Sequence, residues 1–188
     1  LKSVLGKVKE VDAEDDPEPG QLQEAYVRFA KAGPDLGCLQ ARLNIYNPNK
    51  SWTTRQFTLE YTALFDAILP VIERLSLPVP LGGTSNHFRR EVLEESGGWD
   101  PFNVTEDCDL GIRMARQGYK TEILDSTTWE EANSQVLNWI KQRSRWVKGY
   151  FITHLVHTRD SIWPYFMLAA FFFLLGRVAS PQAGGDNP

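Results

Sequence analysis

An α/β fold is predicted for this 188-residue chain by three observations. Segments of helical periodicity alternate with segments of strand periodicity from end to end. Glycine or proline stands at most of the junctions between them. The length suffices for one good-sized domain with its own core, and the apolar and charged fractions, 42% and 23%, are those of an ordinary globular protein.

The elements follow in order. "DAEDDPEPGQL" is acidic and carries prolines, which makes it a loop. Leu22, Ala25, Tyr26 and Phe29 fall at helical spacing, so a helix is expected over 21–32, ended by Gly33 and Pro34. "LGCLQARLNIY" alternates as a strand, and "NPNKS" is a turn. Phe57, Tyr61, Leu64, Phe65, Ile68 and Ile72 then form one apolar stripe on a long helix, capped near Ser51 or Thr53 and interrupted at Pro70. "SLPVPLGGTSNHFRR" reads as a short extended piece and a glycine-rich turn. "EVLEESGGWD" is a helix closed by Gly97 and Gly98, and a further helix over 110–117 stops at Gly118. "YKTEIL" alternates as a strand, and a last helix is expected over 134–148.

The net charge of −4 speaks against a nucleic-acid partner, which would favour a basic face. Cys38 and Cys108 lack metal-ligand spacing, and a reduced, cytosolic setting is the default. The first ten residues are polar and hold no apolar core of a secretion signal. "IWPYFMLAAFFFLLG", Ile162–Gly176, runs fifteen residues without a charge, short of the about 20 that a full span needs. It fits an interfacial helix, a truncated span or a buried partner, and Trp163 and Tyr165 at its head suit a membrane interface. "SPQAGGDNP" reads as a disordered tail.

Four short stretches could carry chemistry. In "DAED", 12–15, carboxylates two residues apart can share a hard divalent cation, although acidic loops are mostly just solvated. In "GGTSNHFRR" the glycines, Gly83 among them, allow a ligand close to the backbone, and Ser85, Asn86 and His87 offer hydrogen bonds; an ordinary turn explains the same residues. In "TED", Thr105 would cap a helix and place Glu106 and Asp107 in its first turn, where the helix dipole favours negative charge. That electrostatic preference accounts for the acids and also keeps Asp107 ionised, as a base must be. In "QRSRW", Gln142, Arg145 and Trp146 share one helix face by the three-and-four spacing, offering an amide, a guanidinium that pairs with phosphate, and an indole that can stack on a sugar. His154 and His157, three apart, form a helical pair with no third ligand nearby in the sequence.

Taken in this order, "DAEDDPEP", "LGGTSNHFRR", "GGWDPFNVTEDCDLGIRMARQGYKTEIL" and "QRSRWVKG" closely resemble the family 2 glycosyltransferases, in their membrane-associated, cellulose-synthase-like branch, from about Asp12 to Gly149. The resemblance implies a GT-A, Rossmann-like α/β domain that moves a sugar, with inversion, from a nucleotide diphosphate sugar, expected to be a UDP-sugar, to a glycan hydroxyl. It matches Asp12 and Glu14 to the metal-binding acids that hold Mg²⁺ or Mn²⁺, with Asp15 as a substitute for Glu14. It matches Asp107 to the catalytic base with Glu106 in support, and Gln142, Arg145 and Trp146 to the residues that contact the pyrophosphate and acceptor sugar. It places the partial catalytic domain over 1–150, membrane-interface or membrane-spanning helix over 151–179 and the tail over 180–188, with the active site on the cytoplasmic face. Only eleven residues precede Asp12. In the family the nucleobase-binding strands lie there, so the expectation is an excerpt or degraded copy lacking most of that half. A glycan- or partner-binding module without catalysis is the alternative that follows.

Overall fold

The computed structural model describes residues 15–159 together with the backbone of 7–10. The expected metal ligands Asp12 and Glu14, the charge-free run Ile162–Gly176 and the tail over 180–188 lie outside the described residues.

A mixed five-stranded sheet forms the centre. Its strands are β1 (Lys7–Glu10), β2 (Asp16–Pro17), β3 (Leu36–Ile45), β4 (Asn86–Arg89) and β5 (Lys120–Glu130), laid side by side in the order β1-β4-β3-β5-β2. β3 and β5 are parallel, and every other pairing is antiparallel. β3 is buried along nearly its whole length, as a central strand covered on both faces must be.

The two faces of β3 are sorted by a bulge. Leu36 pairs with Lys120 and Cys38 with Thr121, so Gly37 is the extra residue. The slip puts Leu36 and Leu39, three apart, on one face with Ala41 and Leu124, beneath Ala25 and Phe29 of α1 (Gln21–Lys31). Cys38 goes to the other face with Phe88, Leu110 and Met114 and with Val92 and Leu93 of α4 (Arg90–Glu95). Gly37 has no alternative there, because a Cβ would stand 2.7 Å from the Met114 methyl and 2.8 Å from Val92.

The expected long helix is three pieces: α2 (Trp52–Tyr61), a π-helical stretch over Thr62–Ile68, and α3 (Leu69–Arg74). Pro70 sits at the start of α3 and cannot donate to the turn before it. The ladder widens ahead of it, and the Leu69 N–H reaches back five residues to the Leu64 carbonyl. Phe65 and Leu69 stay in the core with Leu43 and Val79, so the apolar stripe survives the change of pitch. At the other end Ser51 caps α2 reciprocally: its hydroxyl accepts the Thr54 N–H at 3.2 Å, and the Thr54 hydroxyl accepts the Ser51 N–H at 3.0 Å. Ser51→Ala is expected to lower stability by about 1 kcal/mol, read as a shift of the urea midpoint without a change of slope.

Several boundaries move relative to the sequence reading. "NHFR" is strand β4 and not part of a turn: it pairs with β1 and β3, and its polar side chains are met by the Gly82 carbonyl and by Gln21 of α1. α5 runs from Glu106, where the "TED" reading puts the first turn and ahead of the periodic stretch over 110–117, to Arg116 before Gly118, whose φ is +91°. β5 continues well past Leu124. The last helix, α6 (Val136–Thr158), runs ten residues beyond Lys148 and crosses the expected boundary at residue 150 without a break. Gly149 does not end it, because this glycine is a packing position and not a cap.

Candidate active site

The glycine loop is built from below by buried amides. The Gln40 side chain, wholly buried on β3, accepts the Gly82 N–H at 2.7 Å and donates to the Thr84 carbonyl at 3.0 Å and the Ala41 carbonyl at 2.8 Å. Asn86 donates to the Gly82 carbonyl at 2.6 Å. Ser85 holds the left-handed turn with φ +57°, and its carbonyl accepts the Ala41 N–H at 3.0 Å. Its hydroxyl is paired with that of Thr128 on β5, which in turn accepts from Gln21 at 3.0 Å. Ser85 therefore lies beneath the loop and shapes it, while Gly83 is the exposed residue at its tip. His87 is equally buried, against the Gln21 carboxamide.

The acidic loop meets this turn. The Thr84 hydroxyl donates to Asp15 Oδ2 at 2.6 Å, and β2, immediately after Asp15, pairs with Thr128 and Trp129. Glu18 completes the anchorage by accepting the Thr127 N–H at 2.9 Å and the Ser126 hydroxyl at 3.1 Å. Two hydrogen-bonded lines from β5 thus hold the last acid of "DAED" against the glycine loop.

Asp107 lies on the opposite wall, in the first turn of α5 and only 7% exposed. Its Oδ1 accepts the Trp99 indole N–H at 3.0 Å. Its Oδ2 faces Gly83, where a Cβ would stand 3.6 Å away. A Cβ at residue 83 would be in van der Waals contact with that oxygen, and glycine presents none. Glu106 is half-buried beside it. Burial, helped by Asp109 and Asp107, pushes the Cys108 thiol up to about 12, so it stays protonated at neutral pH; both cysteines are buried and neither is in a disulfide. Burial likewise raises the Tyr150 phenol, which also feels Cys108 and Asp107.

Thr105 stands at the cap position of α5 but does not cap it. Its hydroxyl turns to Asn103 at 3.3 Å and to Thr153 of α6 at 3.2 Å. The cause lies in the packing. Gly149 of α6 lies so close that a Cβ there would be 2.6 Å from Thr105 Cγ2, and the threonine serves the helix–helix seam instead of its own helix. Further along the seam, His157 Nε2 and Asp109 Oδ1 pair at 2.6 Å, both nearly buried, and Arg113 holds the other Asp109 oxygen at 2.7 Å. His157 is thus an inter-helix tie. Among the described residues no group of three His, Cys, Asp or Glu could hold a metal ion.

α6 carries the fourth motif and is seated against Thr105 at Gly149. Arg145 is one turn before Gly149 on the same face, so the seam with Thr105 sets its position. Gln142 and Arg145 line an open groove of about 700 Å³ with Asn133, Asn138 and Lys141. Trp146 faces inward, edge-on to Phe57 at 6.1 Å and 83°. Arg143, between the motif positions, was not singled out by the sequence reading: its guanidinium lies over Phe57, Trp146 and Trp139 and pairs with Glu60. Tryptophans four residues before and three after an arginine are the signal that marks it. Asp15, Gly83, Thr84 and Asp107 are therefore brought together, and α6 abuts them at Thr105. A hard divalent cation fits the chemistry of the acidic loop, which offers carboxylate oxygens alone and ends at this cleft.

Comparisons with known proteins agree with this architecture. The family model described as glycosyl transferase family group 2 matches residues 10–183. The chain is 30% identical over 175 residues to probable glucomannan 4-beta-mannosyltransferase 10 of Arabidopsis thaliana and 30% identical over 176 residues to probable glucomannan 4-beta-mannosyltransferase 1 of the same plant. Each alignment takes in 89% of this chain and 32% of the relative, so the chain spans about a third of the length of these proteins. Among solved structures, a mannosyltransferase from Pyrobaculum calidifontis in complex with GDP-Man and Mn²⁺ superposes with a TM-score of 0.58 at 21% identity, over 85% of this chain and 42% of that one, a likeness of fold. With the family model spanning most of its length and two relatives 30% identical over 89% of it, the chain belongs to glycosyl transferase family group 2.

Proposed function

We propose that the chain transfers a sugar, with inversion, from a nucleoside diphosphate sugar to a hydroxyl of a growing β-linked glycan. The observation that carries this reading is Asp107: one oxygen is tied to Trp99 and the other faces the side-chain-free Gly83. A carboxylate so held can take the proton of an acceptor hydroxyl as its oxygen bonds to the anomeric carbon. The bond to the diphosphate breaks on the opposite side, and the nucleoside diphosphate leaves with the electron pair. Arg145 pairs with its phosphate oxygens, and Gln142 orients the acceptor. Glu106 supports the field around the base. Asp12 and Glu14, with Asp15 as substitute, would hold Mg²⁺ or Mn²⁺, which supplies charge stabilisation for the leaving diphosphate.

The names of the relatives favour mannose, and the solved neighbour was bound to GDP-Man, so GDP-mannose belongs beside UDP-sugars as a candidate donor. We also place the chain on the cytoplasmic face of a membrane through residues 151–179. That placement rests on the charge-free Ile162–Gly176 run and on the exposed Phe151, Ile152 and Leu155 just before it. No helix among the described residues is long and apolar enough to cross a membrane.

The test is transfer from each donor to a manno- or gluco-oligosaccharide with Mn²⁺, with the anomer of the first product read by NMR. A β product from an α donor supports the proposal. Retention, or glycan binding with no transfer from any donor, overturns it, and the latter outcome is what a non-catalytic glycan-binding module would give.

A further inference from the structure

The guanidinium of Arg143 occupies an aromatic enclosure. Its Cζ lies 4.4 Å from the Phe57 ring centre, 4.9 Å from that of Trp146 and 5.8 Å from that of Trp139. Glu60, near the end of α2, pairs with it, and the two side chains are only 27% and 35% exposed. Burial raises the Glu60 carboxyl, and Arg143 opposes that rise. Phe57 meets Trp146 edge-on, and Ile45 and Ala132 close the cluster beneath. The indole of Trp146 is thereby held by a cation over its ring and by a T-shaped contact with Phe57. Both neighbours therefore fix the orientation of the indole that the family resemblance assigns to the acceptor sugar.

We infer that Arg143 is the positioning residue for Trp146, with Glu60 holding Arg143, and that through the indole it sets the affinity for the acceptor glycan. The inference rests on the transferase reading for its second half only. Lysine would keep the charge opposite Glu60 but has no plane to lie over the rings, and methionine would keep much of the volume and lose both. A purely structural role would lower stability and leave the acceptor and donor constants together. A positioning role separates them.

The experiment uses the full chain, its R143K and R143M variants, and W146F as a reference. Circular dichroism establishes that each is folded. The Trp146 signal is taken as the fluorescence difference from W146F, and its acrylamide quenching is measured. Transfer kinetics are then read against oligosaccharide and donor separately. In folded R143M the quenching of Trp146 is expected to rise severalfold and the acceptor KM about tenfold, since cation–π contacts out of water contribute about this factor. The donor KM is expected to hold, and R143K to fall between. If R143M does not fold, R143K carries the same two readings. Unchanged quenching overturns the positioning role, and unchanged acceptor KM, or equal rises for donor and acceptor, overturns the link to the glycan. Absence of transfer by the parent chain overturns the proposed function and with it that link, while the quenching still decides the positioning of Trp146.

Discussion

Asp107→Asn is expected to lower kcat for sugar transfer by a hundredfold or more and to leave the fold intact. Asparagine has the shape of aspartate, and its carbonyl still accepts the Trp99 indole N–H that now meets Oδ1 at 3.0 Å. The group facing Gly83 becomes an amide, which cannot take a proton from an acceptor hydroxyl. Loss of a general base costs on the order of 10²–10⁴ in rate. Asp107→Glu keeps the carboxylate but moves it by a methylene, and a misplacement of about 1 Å is itself worth around a hundredfold. Both variants are therefore expected to be slow, with KM for either substrate near that of the parent and unchanged thermal midpoints for Asn. A parent-like rate in Asp107→Asn would remove the base assignment.

Gly149→Ala is the second large effect. Alanine favours a helix over glycine by about 1 kcal/mol, so α6 taken alone would gain. The seam decides otherwise. The new methyl would lie 2.6 Å from Thr105 Cγ2, 2.8 Å from its hydroxyl and 3.1 Å from its backbone N. Overpacking of this kind costs about 1–3 kcal/mol, and the backbone atom among the three cannot rotate away. The net expectation is a loss of about 1–2 kcal/mol and a rate down at least tenfold, because α6 bears Gln142 and Arg145 and must withdraw from the turn that bears Asp107. Thr105→Ser removes the nearest atom, so the double variant should recover part of both losses, a coupling that denaturant titration and kinetics measure together.

Much of this fold is written in local pattern. The helices over 21–31 and 90–95 and the strand over 36–45 follow from periodicity and from the glycines that close them. β4 does not, because "NHFR" is polar and its burial depends on pairing with β1 and β3 and on Gln21, a distant partner for His87. The end of α6 was hidden for a similar reason: Gly149 looks like a stop until Thr105 is known to lie against it. In the candidate site, Asp107 and its first-turn placement were legible, but the Trp99 and Gly83 sides of its carboxylate come from tertiary packing. Ser85 offered a hydroxyl in the sequence, and the structure places it under the loop on Thr128. Trp146 was read as a sugar platform and proves half committed to Phe57 and Arg143, which only the neighbouring α2 could reveal.

The most direct measurement is a crystal structure of the chain with Mn²⁺ and an unreactive nucleoside diphosphate sugar. The diphosphate is expected between the acidic loop at Asp15, the Gly83–Thr84 turn and Arg145, with the anomeric carbon presented to Asp107 Oδ2 on the side away from the phosphates. A donor bound elsewhere, or bound there with Asp107 out of reach of the sugar, would contradict the account.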